Sequence, residues 1–365
     1  MALLATAGIS AQDSSYGEES YIQLALLLDT SNSMDGLINQ VKSQLWKIVS
    51  QTARERRNGK RPILQVALYE YGNDSLSILN GYVREVVPFT TDLDRISQAL
   101  FELTTNGGSE FCGKVISTAV KDLAWDGRDD TLRLLFIAGN EPFDQGPTNY
   151  NRAIEGAVRK DITVNTIFCG DYDEGRYTHW EAGAHMGGGI YVNINSDFAY
   201  SHIPAPQDRR IEELNRKLNH TYLGYGYEGE AKMARQEAQD ANAQSLGIGS
   251  LMERAQVKSS SSYSNSEWDL VDAYAEDEEI LADMAPAELP PALQGMDEEE
   301  QEAYIKELRE ERRLIQEEIA QLGAERELYI AEQRALTEEG EVSALDKAVI
   351  EGIRKSAEAK GFHLE

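Results

Sequence analysis

The sequence predicts an α/β protein built on a doubly wound, mostly parallel sheet, followed by a helical and partly extended C-terminal region. Three observations predict it. Nearly continuous apolar runs, Tyr21–Leu28 foremost, recur along the first half and mark strands covered on both faces. Between those runs, apolar residues recur at helical spacing. Beyond Pro204 the strand-type runs stop, while the helical spacing continues.

The elements follow in order. After Tyr21–Leu28, the stripe Leu37, Val41, Leu45, Ile48 and Val49 predicts a helix. Ile63–Tyr71 and Val83–Phe89 read as strands, and Asp92 caps a helix carrying Ile96, Leu100 and Leu103. A helix over 110–124 presents Val115, Ala119, Val120 and Leu123, and Leu132–Ala138 is a buried strand. Thr148 opens a helix with Ile154, Ala157 and Val158. Thr163–Cys169 and Ile190–Ile194 complete the sheet, with a short helix at His179–His185 between them. Strands alternating with helices imply parallel pairing with helices on both faces.

This pattern sets the expected domains. Residues 20–203 form the α/β domain. Residues 204–258 form a helical segment, with Ile211, Leu214 and Leu218 on one face. Residues 259–296 form a Ser-rich and acidic linker, and residues 297–365 a long amphipathic helix plus a C-terminal helix. From Glu267 to Glu302 there are 14 acidic residues and no Lys or Arg, the composition of a solvated, self-repelling linker. In the long helix Leu308, Ile315, Leu322, Tyr329 and Leu336 recur every seven residues. The second seam position alternates Ile305 and Ile319 with Arg312 and Arg326. Two outcomes fit that half-filled seam: packing on the chain's own domain, or self-association as a coiled coil.

Charge removes some function classes. With 35 basic against 63 acidic residues, the net charge is −28 and the pI about 4.6. Such a balance argues against nucleic acid, whose phosphates reward a basic face, and against a polybasic membrane-surface role. It contains no apolar run long enough for a transmembrane helix. Within residues 1–19, the stretch Met1–Ala11 (MALLATAGISA) reads as the remnant of a secretory leader followed by a linker. A periplasmic or secreted location is therefore expected.

The chemistry concentrates after the first strand. Asp29, Ser31 and Ser33, spaced i, i+2, i+4, place one carboxylate and two hydroxyls on a single tight loop. Oxygen ligands of this kind suit a hard cation such as Mg²⁺. In open α/β sheets, ligands bind beyond the carboxyl ends of the strands. The five histidines (His179, His185, His202, His220, His363) show no zinc spacing, and no nucleophile elbow or general base accompanies Ser31.

The stretch from Tyr21 to Ile203 resembles a von Willebrand factor type A domain, a Rossmann-like fold. The likeness rests on Asp29-x-Ser31-x-Ser33, on the Asn106-Gly107-Gly108-Ser109 turn before a helix, and on the strand and turn Leu134–Pro142. It implies a metal-ion-dependent adhesion site that binds Mg²⁺ and is completed by an Asp or Glu carboxylate of a protein partner. It also implies a binding module rather than an enzyme. In that pattern Ser109 stands for the second-loop Thr, and Glu110 beside it offers a carboxylate. The third-loop Asp is replaced by Gly139 within Ala138-Gly139-Asn140-Glu141-Pro142, so the site is degenerate; Asn140, Glu141 and Asp144 are the compensating candidates. The resemblance implies that Gly139→Asp would restore the acid and strengthen cation binding. Cys112 and Cys169 both lie toward the carboxyl edge of the sheet. An even count in an exported protein predicts a disulfide between them, with two buried free thiols as the other outcome.

The expected function is a non-enzymatic, adhesion-type protein-binding module that grips its partner around Asp29, Ser31, Ser33, Ser109 and Glu110. The alternative is a purely structural assembly protein with an inert metal site, associating through its C-terminal helix.

Overall fold

Residues 21–29 are apolar on both faces, and they form the central strand of the sheet. The structure is a computed structural model and describes residues 19–57, 61–194, 203–336 and 350–364. The expected leader remnant at 1–11 lies outside the described residues. The strands are β1 (Tyr21–Asp29), β2 (Glu55–Arg57), β3 (Ile63–Tyr71), β4 (Val83–Thr90), β5 (Leu132–Gly139), β6 (Thr163–Cys169), β7 (Gly188–Ile194) and β8 (Phe362–Leu364). Six of them form one sheet in the order β4-β3-β1-β5-β6-β7, parallel except for the edge strand β4. These are the six strands expected from the apolar runs.

The helices are α1 (Ile38–Thr52), α2 (Leu93–Glu102), α3 (Cys112–Asp122), α4 (Tyr150–Arg159), α5 (Tyr172–Tyr177) and α6 (Trp180–Met186), then α7 (Asp208–Asn219), α8 (Gly229–Leu246), α9 (Ile248–Ser259), α10 (Leu270–Glu276), α11 (Ile280–Asp283), α12 (Glu298–Leu336) and α13 (350–358). Period-two side chains divide between the two faces of the sheet. Leu24, Leu26 and Leu28 of β1 join α1 and α2 in one core, whereas Ala25 and Leu27 join α3, α4 and α6 in the other.

The helical region is not an extended tail. Ile211, Leu214 and Leu218 of α7, Leu251, Met252 and Ala255 of α9, and Ile315 and Ile319 of α12 belong to the same core as α1 and α2. They make a second helical layer on that face. The expected coiled coil is therefore corrected: Ile305, Leu308, Ile315 and Ile319 are buried within the chain itself, and only the far end exposes Leu336. That apolar seam is not free to join a second copy. The two seam arginines are buried as well. Arg312 pairs with Asp269 and Asp272, both at 2.6 Å, and lies 4.0 Å above the Tyr222 ring. Arg326 pairs with Asp208 at 2.6 Å. The expected acidic linker is folded for the same reason. It holds α10 and α11 and packs Leu270, Val271, Tyr274 and Leu293 against Ile305 and Leu308.

A second buried charge cluster ties the two layers together. Arg254 of α9 contacts Asp94 of α2 at 2.6 Å and Asp240 of α8 at 3.0 Å, and Lys258 reaches Asp240 at 2.8 Å. The Tyr263 hydroxyl donates to Asp94 at 2.6 Å. The adjacent cations hold Asp240 well below the usual carboxylate range. Burial lowers Lys258 to about 8.

A C-terminal clasp, not visible as a pattern in the sequence, closes the fold. β8 pairs antiparallel with β2, and Phe362 enters the core. Glu55 of β2 is fully buried, and among the described residues neither of its carboxylate oxygens has a hydrogen-bond partner. Burial pushes its pKa from 4.5 up to about 7; Glu358 adds to this, while Arg354, Arg56 and Arg54 oppose it. Between those two values the folded state keeps a proton that the unfolded chain has released, so this group's contribution to stability falls as pH rises. Glu55→Gln cannot lose that proton. The stability difference between Glu55→Gln and the parent, read by urea unfolding, is expected to grow in favour of the variant from pH 5 to pH 8, by at most about 3 kcal/mol. A difference independent of pH would show that Glu55 ionises as freely in the fold as outside it.

Candidate functional site

β1 lies between β3 and β5, so the loop leaving it opens at the switch point of the strand order. Three loops meet there. Thr30 N–H donates to the Tyr71 carbonyl at 2.9 Å, and Asn106 N–H donates to the Thr30 carbonyl at 3.0 Å. Asn73 donates its side-chain amide to the Thr104 carbonyl at 3.0 Å, and Asp74 N–H donates to Gly107 at 2.8 Å. The loop 72–74 after β3, which sequence reasoning did not single out, thus spans the other two. The available signal was positional: it follows the strand next to β1.

Asp29 is fully buried at the centre. Its Oδ1 accepts the Ser31 N–H at 2.8 Å, while Oδ2 has no hydrogen-bond partner among the described residues. The Ser31 and Ser33 hydroxyls are 2.8 Å apart. Ser33 donates to Asn140 Oδ1 at 2.9 Å, and Asn140 Nδ2 donates back to the Ser33 carbonyl at 3.1 Å. This two-bond clip joins the loop after β1 to a fourth loop, the one after β5 that stands third in the adhesion pattern, so Asn140 is the compensating candidate that touches the first loop.

Glu110 is turned inward. It is 6% exposed, and its N–H is held by Gln145 Oε1 at 2.9 Å. Gly72, at φ +78°, makes the approach of Asp29 and Glu110 possible. A Cβ there would stand 2.7 Å from Asp29 Oδ1 and 2.9 Å from Glu110 Cγ. Burial is the main force that raises Asp29, to about 7, and the negative charges of Glu110 and Glu141 add to it against the Ser31 hydrogen bonds. Burial raises Glu110 too, with Glu141 and Asp74 adding. Ser109 lines an adjoining groove with Tyr82, Phe111 and Lys114. Asp144 lies 3.8 Å from His179.

The third loop departs from the adhesion pattern for a steric reason. A Cβ on Gly139 would fall 2.4 Å from the Tyr71 hydroxyl and 3.1 Å from Asp29 Oδ2. Tyr71 is fully buried and donates to the Ala138 carbonyl at 3.1 Å. Its hydroxyl occupies the space where a side chain at 139 would begin.

The predicted disulfide is corrected: Cys112 and Cys169 are free, buried thiols. They share an edge of the sheet but not a face. Cys112 packs in the core with α3 and α4, and Cys169 in the core with α1 and α2, so the sheet separates them. Burial raises both thiols well above the ordinary range.

The residues present fit a hard divalent cation. Among the described residues no three His, Cys, Asp or Glu side chains group closely enough to hold a metal ion by themselves. The oxygens here are of mixed kinds: carboxylates from Asp29 and Glu110, hydroxyls from Ser31 and Ser33, and the Asn140 amide. All are oxygen donors, as Mg²⁺ requires, and the two carboxylates can balance its charge. The orphaned, buried Oδ2 of Asp29 is the observation that calls for a cation, because an unpaired buried carboxylate is costly.

Residues 23–183 match the family model "von Willebrand factor type A domain". Among solved structures, the chain is similar to the conserved hypothetical protein BatB from Bacteroides thetaiotaomicron, at 15% identity over 48% of this chain and 90% of that one, TM-score 0.37. It is similar to the SpRpn10 VWA domain at 14% identity over 48% and 89%, TM-score 0.37. It is also similar to proximal thread matrix protein 1 from the mussel byssus, solved with a zinc-occupied MIDAS motif, at 10% identity over 50% and 43%, TM-score 0.36. No curated protein matches the chain. The family match covers the stretch that runs from β1 into α6 and holds all four loops of the site, and residues 23–183 are a von Willebrand factor type A domain.

Proposed function

We propose that this protein is a non-enzymatic binding module that grips a protein partner through a divalent cation at the carboxyl edge of its sheet. Support comes first from Asp29, a buried carboxylate with one oxygen unpartnered. When bound, the cation supplies an open coordination position that a partner's Asp or Glu carboxylate can fill. Asp29 and Glu110 supply the negative charge and Ser31 and Ser33 neutral oxygens. Asn140 holds the Ser33 loop in place from the third loop. With Gly139 in place of an acid, the site stays less anionic, which favours attraction of a partner's carboxylate. Mg²⁺ is the expected ion. The leader-like N-terminal stretch places the protein, in this reading, in the periplasm or outside the cell.

Asp29→Ala is expected to abolish Mg²⁺ binding in calorimetric titration while leaving the metal-free protein folded, since the change removes a desolvated and half-satisfied charge. Mg²⁺ binding by Asp29→Ala equal to that of the parent would leave the site inert and favour a purely structural role.

A further inference from the structure

Beside the cation site lies a groove of about 430 Å³ lined by Ile78, Leu79, Tyr82, Phe111, Lys114 and Pro147. Its outer wall is unusual. Ile78 and Leu79 are consecutive aliphatic residues at 69% and 92% exposure. They sit on a rigid turn, a single 3₁₀ turn over Ile78–Asn80 capped by the Ser77 hydroxyl. The Ser77 carbonyl accepts the N–H groups of Asn80 and Tyr82 at 3.0 and 3.1 Å. Gly81 and Tyr82 are both left-handed, at φ +70° and +55°. For an aromatic residue this conformation is strained, and such strain persists where the surroundings over-determine it. It sets the Tyr82 ring edge-on to Phe111 with centroids 6.0 Å apart, which makes the inner wall.

The groove also holds a cation. The Lys114 stem runs beneath Gly81, where a Cβ would lie 2.9 Å from Lys114 Cγ. Among the described residues no carboxylate pairs with Lys114, in a chain whose net charge is −28. A surface that holds two bare aliphatic side chains on a stiff turn, two aromatic rings and one unpaired ammonium complements a segment of opposite design.

We propose that this groove docks a partner segment that presents apolar side chains next to a carboxylate, the apolar side chains between Leu79 and Phe111 and the carboxylate on Lys114. The inference deepens the binding-module reading and rests on it, but it needs no cation. It can therefore fail while the cation site stands, and stand while the cation site fails.

The test uses the full chain in EDTA. The probe is a fluorescein-labelled nonapeptide of Gly and Ser carrying Phe-Leu at its centre with Asp immediately after, and binding is read by anisotropy. Controls carry Ser-Ser for Phe-Leu, or Lys for Asp. The parent is expected to bind the Phe-Leu-Asp peptide at least about ten-fold more tightly than the Ser-Ser control. Leu79→Ser, at a nearly fully exposed position that leaves the fold undisturbed, is expected to lose that margin and to keep the parent's Mg²⁺ binding. Lys114→Glu is expected to reverse the preference from the Asp to the Lys peptide. Equal binding of Phe-Leu and Ser-Ser peptides, or undiminished binding by Leu79→Ser, would overturn the proposal. Self-association of the parent that Leu79→Ser abolishes, with no peptide bound, would also overturn it, by making the occupant a second copy.

Discussion

Gly139→Asp is expected to destabilise the domain by about 2–4 kcal/mol and to leave its affinity for Mg²⁺ no higher. The acid would stand where the adhesion pattern has one, yet the space is taken. Its Cβ would press to 2.4 Å on the Tyr71 hydroxyl, and its charge would enter beside Asp29, whose Cβ and Oδ2 would be 3.1 Å away. Tyr71 cannot yield cheaply, because it is fully buried, bonded to the Ala138 carbonyl at 3.1 Å and packed 3.7 Å from the Cys112 sulfur. The backbone at 139 is not left-handed, so the obstacle is the neighbour rather than φ. The double variant Tyr71→Phe/Gly139→Asp removes the clashing oxygen and is expected to recover part of the loss, a coupling that denaturant unfolding of both singles and the double measures. A single variant as stable as the parent would show that the third loop moves freely.

The second large effect lies far from the site. Arg312→Ala is expected to cost about 3–5 kcal/mol, because it leaves the buried Asp269 and the half-buried Asp272 with no cation between them. Arg312 also donates to Thr221 Oγ1 at 3.1 Å and covers Tyr222, so packing is lost along with charge. Since α12 and α7 share one core with α1 and α2, the loss is expected in a single unfolding transition of the whole chain. A variant that unfolds in two steps, with the sheet domain unaffected, would show that the helical layer folds separately. The shared core also means that a fragment ending at residue 203 would uncover the outer surface of α1 and α2, so partner binding is best tested on the full chain.

These two cases show what was legible in the sequence. The interior strands announce themselves because a parallel strand buried on both faces must be apolar almost throughout, as Tyr21–Leu28 is, whereas the edge strands β4 and β7 show it only in part. The first loop was legible because Asp29, Ser31 and Ser33 follow such a strand directly. Pairings that depend on distant residues were not legible. Asp269 and Asp272 look like part of a solvated acidic run until Arg312 is brought to them from some 40 residues away. In the same way the heptad reading puts Arg312 and Arg326 in the seam as interruptions, and only the fold shows that each meets a buried acid there. The order of elements puts Cys112 and Cys169 at one edge of the sheet, but it does not reveal on which face a helix turn and a strand end will meet. At the second loop, the turn direction decides which side chain faces Asp29. The structure buries Glu110 next to Asp29, both against Gly72, while Ser109 lines the groove. The clasp between β2 and β8 escaped notice because three-residue strands carry no period.

Where a cation binds is decisive, because a net charge of −28 also attracts cations loosely to the acidic surface. Paramagnetic broadening by Mn²⁺, a hard cation in place of Mg²⁺, reports that location amide by amide. Added to the parent, Mn²⁺ is expected to broaden first the amide signals of residues 30–33, 72–74, 109–111 and 139–141, and in Asp29→Ala that selective broadening should vanish. Broadening confined to the acidic stretches around 276–279 and 297–302, the same in parent and variant, would contradict a cation site at Asp29.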